Sequence, residues 1–146
     1  MPRAELPVGL GPLEDILGLN IRLAHGAVQR HFGERFADLA LTQKQVSVLW
    51  LAGDHPGIAQ TDLARALDMD RATTMAIVHA LEKRGLLERA KGLTDARRVA
   101  LALTGEGRAL LKKAQGAIAE HEQWLTKRFS PKELGVLMEL LRRIHR

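Results

Sequence analysis

Arg71, Ala72, Thr73, Ala76, His79 and Lys83 fall off the apolar stripe formed by Thr74, Ile77, Val78 and Leu81, and Arg89, Lys91, Arg97 and Arg98 follow closely behind them. Guanidinium and ammonium groups at this density suit phosphate recognition, because they make charge-assisted bonds to anionic oxygens and displace counterions. Arg71 and Thr73 stand at the start of a predicted helix, where free backbone amides and the helix dipole favour an anion. A merely solvated basic face is the alternative reading of the same residues. Catalytic chemistry has much less to work with. The six histidines stand at 25, 31, 55, 79, 121 and 145, and no pair has the spacing of a metal motif. His121-Glu122 lacks the second histidine that a zinc helix needs. Gly105-Glu106-Gly107 lacks a third glycine and a phosphate-loop lysine. There is no nucleophile elbow and no carboxylate pair on one face, so neither a metal nor a cofactor is expected.

Positioning those cations requires a compact scaffold, and hydrophobic periodicity supplies its outline. Residues 1–12, with three of the five prolines, read as a loose arm. Leu13, Ile16, Leu17, Leu23, Ala24, Ala27 and Val28 repeat at helical spacing to about Phe36. Thr42-Gln43-Lys44-Gln45 is a capping box that opens a second helix carrying Val46, Leu49 and Trp50. That helix stops at Gly53-Asp54-His55-Pro56-Gly57. Two short helices follow, about Gln60–Leu67 and then one capped by Asp70 and ended by Gly85. Leu86–Lys91 and the alternating Val99, Leu101 and Leu103 read as two strands joined by a basic turn. A long helix from Gly105 to about Phe129 comes next. Ser130-Pro131-Lys132-Glu133, with a serine cap, proline at the first helical position and glutamate at the third, opens the last one.

Composition narrows the class. The chain has 146 residues, 46% apolar, which is enough for one folded domain with a core. Aromatic residues make up 3% and tyrosine is absent, which disfavours stacking platforms for single-stranded nucleic acid. Net charge is +5, and the excess lies away from the start: residues 1–60 hold five Lys/Arg against six Asp/Glu, 61–103 eight against six, and 104–146 nine against five. Without cysteine, disulfides, thiolate metal sites and thiol switches are excluded. The longest apolar run, around 46–53, is too short to span a bilayer, and the first residues do not resemble a signal peptide. An intracellular, cytoplasmic protein without membrane contact is expected.

The motifs then fall into a known order. Gln60-Thr61-Asp62-Leu63-Ala64-Arg65-Ala66-Leu67, the stretch from Asp70-Arg71-Ala72-Thr73 to Leu81-Glu82-Lys83-Arg84-Gly85-Leu86, and Arg89…Asp95, Arg97…Leu103-Thr104-Gly105-Glu106-Gly107 resemble the successive motifs of the MarR family of bacterial regulators. The resemblance covers roughly 13–145. It implies a mainly α fold with a small β-hairpin: a winged helix-turn-helix lobe at 41–104, flanked by a dimerisation helix at 13–40 and dimerisation helices at 105–146, behind a flexible arm at 1–12. It also implies a homodimer that lays one helix of each lobe in the major groove of double-stranded DNA, with half-sites about one helical turn (~34–36 Å) apart. Arg97 matches the wing arginine, which enters the minor groove. Asp95 would hold the wing arginines by ion pairing, Arg98 would meet phosphate, and Arg89 and Lys91 would contact the backbone. Ala59 stands where the family often carries a serine or threonine cap. Met75, Ala76 and Ala80 stand where some members carry long polar residues, which shifts readout toward methyl contacts and DNA shape. Family members bind organic acids, phenols or acyl thioesters of coenzyme A between the dimer helices and the lobe. Arg22, His25 and Arg30 on the first helix and Trp50 on the second are the candidates for such an effector. The expected function is a ligand-responsive regulator, a repressor released from a pseudo-palindromic operator. A winged-helix protein-interaction module without ligand response, or a cofactor-free enzyme, are the rival readings.

Overall fold

The computed structural model describes residues 8–91 and 99–146, with Lys91 described by its backbone alone. A short 3-10 turn, Gly11–Asp15, precedes helix α1 (Leu17–Phe36), and a second one, Ala37–Leu39, follows it. Then come α2 (Gln43–Asp54), strand β1 (Ile58–Ala59), α3 (Gln60–Ala66), α4 (Arg71–Lys83), β2 (Leu87–Lys91), β3 (Val99–Leu103), α5 (Gly105–Thr126) and α6 (Pro131–His145). The sheet runs β1-β3-β2 and is antiparallel throughout. The mainly α fold with a hairpin is therefore present, and the hairpin gains a third, two-residue strand at its β3 edge. The helix expected to begin at Leu13 starts instead at Leu17, because Gly11 and Pro12 open a 3-10 turn that ends where the Ile16 amide donates to the Leu13 carbonyl and Ile16 is extended. The long helix expected to reach Phe129 ends at Thr126.

Local chemistry places these ends. Thr42 and Gln45 form the reciprocal capping box of α2, and Ser130 and Glu133 that of α6. Asp70 caps α4 by accepting from the Thr73 amide at 2.6 Å. No side chain caps α3 at Ala59. Gly85 ends α4 with φ +73°, a conformation that costs glycine nothing. Thr104 fastens the two halves of the lobe: its hydroxyl donates to the Gly85 carbonyl at 2.6 Å and accepts from the Gly107 amide at 3.0 Å.

One core sits beneath these elements. Phe36 from α1, Val48 and Leu49 from α2, Leu63 from α3, Val78 and Leu81 from α4, and Leu101 from β3 are all essentially inaccessible to water. Each such side chain contributes about 1.5–3 kcal/mol by leaving solvent. The stripe read from the sequence of α4 is buried at Thr74, Val78 and Leu81 and half-buried at Ile77, so the opposite face of that helix points outward. Helix α6 contrasts with the rest. It buries none of its residues, and Val136, Met138, Leu140, Leu141 and Ile144 are all exposed. Leu13, Ile16, Leu17 and Ile21 at the other end of the chain are exposed as well.

Candidate functional site

Two concave regions lie on either side of the lobe. The outer one, of about 490 Å³, is bounded by α3, α4 and the sheet. Gln60, Thr61 and Ala64 line it from α3, Arg71, Met75 and His79 from α4, Arg89 from β2 and Val99 from β3. Three of the predicted contact residues, Arg71, His79 and Arg89, therefore converge on one open groove. Met75, 47% exposed, adds an apolar contact beside them. Arg89 pairs with Glu82 at 2.6 Å, which fixes a guanidinium at the rim. Exposed pairs of this kind add little stability, so the consequence is mainly one of orientation.

The remaining predicted residues are placed as follows. Ala72, Ala76 and Lys83 are exposed on α4 without lining the groove. Thr73 lies on the other flank of the helix N-terminus, and its amide is taken by Asp70. That bond, with a second from the Thr73 hydroxyl, holds the Asp70 carboxyl below its ordinary value of 3.8. Lys91 pairs with Val99 through the β2–β3 ladder. Asp95, Arg97 and Arg98 lie outside the described residues.

Arg84 lies just past the end of α4. It donates to the carbonyls of Ala40 at 2.7 Å and Leu39 at 3.1 Å, so the exit of α4 is tied to the corner between α1 and α2. Ala40 sits there in the left-handed region with φ +49°.

The inner region is a cavity of about 520 Å³ between α1, α2 and α5. Val28 and Phe32 of α1, Gln43, Val46, Ser47, Trp50 and Leu51 of α2, and Ile118, His121 and Glu122 of α5 line it, with Leu67 at one end. It is an open, mainly apolar cleft with a few polar groups and of a size that suits a small ligand. Of the four candidate effector residues, Trp50 lines it. Arg22, His25 and Arg30 are exposed on α1 and do not. Instead, the sequence left His31, His121 and Trp124 unremarked as binding residues. His121 is buried, its Nδ1 lies 2.7 Å from Nδ1 of His31, and His31 stacks flat on Trp124. Arg128 covers the far side of that indole, and Arg35 pairs with Glu120 beside it. Burial, and secondarily the neighbouring His31, hold the His121 pKa below 6.5, against an opposing pull from Glu122. Among the described residues no group of three or more His, Asp or Glu side chains could hold a metal, and no helix is long and apolar enough to cross a membrane.

Known proteins share this fold. Residues 41–99 match the MarR family. A Thauera aromatica protein assigned as the transcriptional regulator of the hcr operon is 31% identical over 137 residues, covering 93% of this chain and 82% of that protein. The repressor CouR bound to a 23-mer DNA duplex superposes with a TM-score of 0.89 at 34% identity, covering 97% of this chain and all of the other. CouR bound to p-coumaroyl-CoA superposes with a TM-score of 0.86 at 34% identity, covering 95% and 98%. Motif order, three-dimensional fold and full-length identity agree: the chain is a transcriptional regulator of the MarR family.

Proposed function

We propose that two copies of the chain clasp through residues 13–40 and 105–146 and present the lobes at 41–104 to an operator as a repressor. The observation that carries this reading is the convergence of Arg71, His79 and Arg89 on one open groove beside the exposed face of α4. In this account α4 enters the major groove, with Ala72, Ala76 and Met75 against base edges and methyl groups, and Arg71, Thr73, His79 and Lys83 toward phosphate or base edges. Arg89, Lys91 and Arg98 meet the backbone, while Arg97, oriented by Asp95, enters the minor groove. The apolar faces of α6 and of the chain's start supply the interface, since an exposed patch of this kind marks an interaction surface. DNA and a small effector are the ligands, the site of action is the cytoplasm, and no reaction is catalysed.

The effector is an aromatic acid or its coenzyme A thioester, seated in the α1–α2–α5 cavity with Trp50 as a wall. CouR, a repressor with a p-coumaroyl-CoA complex, supports this class. A ligand held against both α1 and α5 favours a dimer in which the two α4 helices no longer match the half-site spacing. By linkage, operator DNA must weaken effector binding by the same factor. Gel-shift titration with the chain's own upstream DNA tests the reading. Specific retardation that weakens steeply with salt and is reversed by p-coumaroyl-CoA is expected. Equal affinity for upstream and scrambled DNA would contradict it.

A further inference from the structure

The cavity contains one buried ionisable side chain, His121, at 4% exposure. Its two ring nitrogens have different surroundings. Nδ1 faces Nδ1 of His31 at 2.7 Å, and the ring meets Phe32 edge-on. Among the described residues no buried side-chain nitrogen or oxygen lacks a hydrogen-bond partner. Nδ1 is the ring nitrogen engaged within the protein, which leaves Nε2 as the one for a ligand in the cavity that His121 lines.

Two nitrogens in hydrogen-bond contact share one proton. When His31 donates, His121 carries its own hydrogen on Nε2 and offers the cavity a donor. When His121 donates, Nε2 becomes an acceptor. The same atom can therefore serve either role without any movement of the chain. The other polar lining groups are Gln43, Ser47 and the carboxylate of Glu122, with no lysine or arginine among this chain's lining residues. An anionic ligand group here would face the carboxylate of Glu122 and an imidazole whose charged form burial disfavours. A ring hydroxyl is neutral and both donates and accepts, and its aromatic ring suits walls made by Phe32 and Trp50.

We infer that His121, with His31 behind it, reads a hydroxyl on the aromatic ring of the effector, and that the chamber takes a neutral hydroxyaryl group whose acid function is masked or left outside. This assignment rests on the effector reading above. Isothermal titration of p-coumaroyl-CoA and of cinnamoyl-CoA, the same thioester without the ring hydroxyl, tests it on the wild type, His121→Phe and His121→Gln. The wild type should bind the hydroxylated thioester about tenfold more tightly, the size of one net hydrogen bond. His121→Phe should bring that ratio to about one while cinnamoyl-CoA binding stays within about threefold, and His121→Gln should retain part of the preference. Equal wild-type affinity for the two thioesters overturns the assignment, whatever the variants do. A preference that survives in His121→Phe overturns it too. If neither thioester binds the wild type, the thioester effector and this assignment fall together, which is a different result from equal binding.

Discussion

Adding one methyl group at Gly107 should loosen the seat of α5 on the lobe. A Cβ there would lie 2.1 Å from the Leu86 carbonyl oxygen and 3.0 Å from its carbonyl carbon, where ordinary contact begins at 3.4 Å. Backbone cannot swing aside as a side chain can, so the first turn of α5 has to withdraw by more than an ångström. That turn is fastened at this point: the Thr104 amide donates to Leu86 O at 3.1 Å, and Thr104 also bridges Gly85 and Gly107. Overpacking costs about 1–3 kcal/mol. Strain in two hydrogen bonds adds about 1 kcal/mol each, and the better helix propensity of alanine offsets about 1 kcal/mol. The net loss is about 2–4 kcal/mol, which for a chain of this length lowers Tm by roughly 5–15 °C. Gly116 lies in the same helix with nothing within 4 Å of a Cβ, so Gly116→Ala should hold or raise Tm. Thermal melts followed by circular dichroism at fixed protomer concentration compare the two variants. A Gly107→Ala protein that melts with the wild type would refute the close approach of α5 to Leu86.

Three further outcomes are expected. Arg89→Ala removes one rim cation per lobe, so the slope of log affinity against log salt for operator DNA should become shallower by about 2; an unchanged slope would mean that Arg89 does not meet phosphate. Asp70 has a lowered pKa in the folded chain, so its capping contribution is complete above the ordinary value of 3.8 and is lost as pH falls through the folded value. Asp70→Asn keeps a cap acceptor but removes this titration, and urea midpoints taken from about pH 6 down to pH 2.5 should flatten relative to wild type. Leu141→Glu with Ile144→Glu places two carboxylates on the bare face of α6, where Ile144 is 63% exposed. Light scattering should then find a single chain, with operator affinity down by roughly a hundredfold or more; an intact dimer would show that the interface lies elsewhere.

What was legible in the sequence was local. Thr42, Asp70, Ser130 and Gly85 act through bonds to residues within a turn or two, so residue type and spacing sufficed to place the ends of α2, α4 and α6. The stripe of α4 likewise told which side of the helix would face outward. Strand β1 was not legible, because two residues carry no alternation and Ile58 and Ala59 are extended only by pairing with Leu101 and Ala100. Nor was the bond between His31 and His121, which stand 90 residues apart and meet only because α1 packs on α5. Arg22, His25 and Arg30 offer charge near the aromatic Trp50 in the sequence pattern, but not in the fold. The stretch of α1 that faces the cavity is Val28 and Phe32, while Arg22 and His25 sit on its exposed first half and Arg30 points away from those two. The tie from Arg84 to the α1–α2 corner has a weak sequence signal, a basic residue before the glycine that ends α4, but its carbonyl partners are set by tertiary packing alone.

Hydroxyl-radical footprinting of the chain on its own upstream DNA addresses the main assertion most directly, since it reads protein symmetry and DNA contact in one experiment. Paired lobes predict two equivalent protected patches whose centres lie about one helical turn, ~34–36 Å, apart. A lone protected patch, or protection that does not depend on sequence, would contradict a two-lobed reader of an operator.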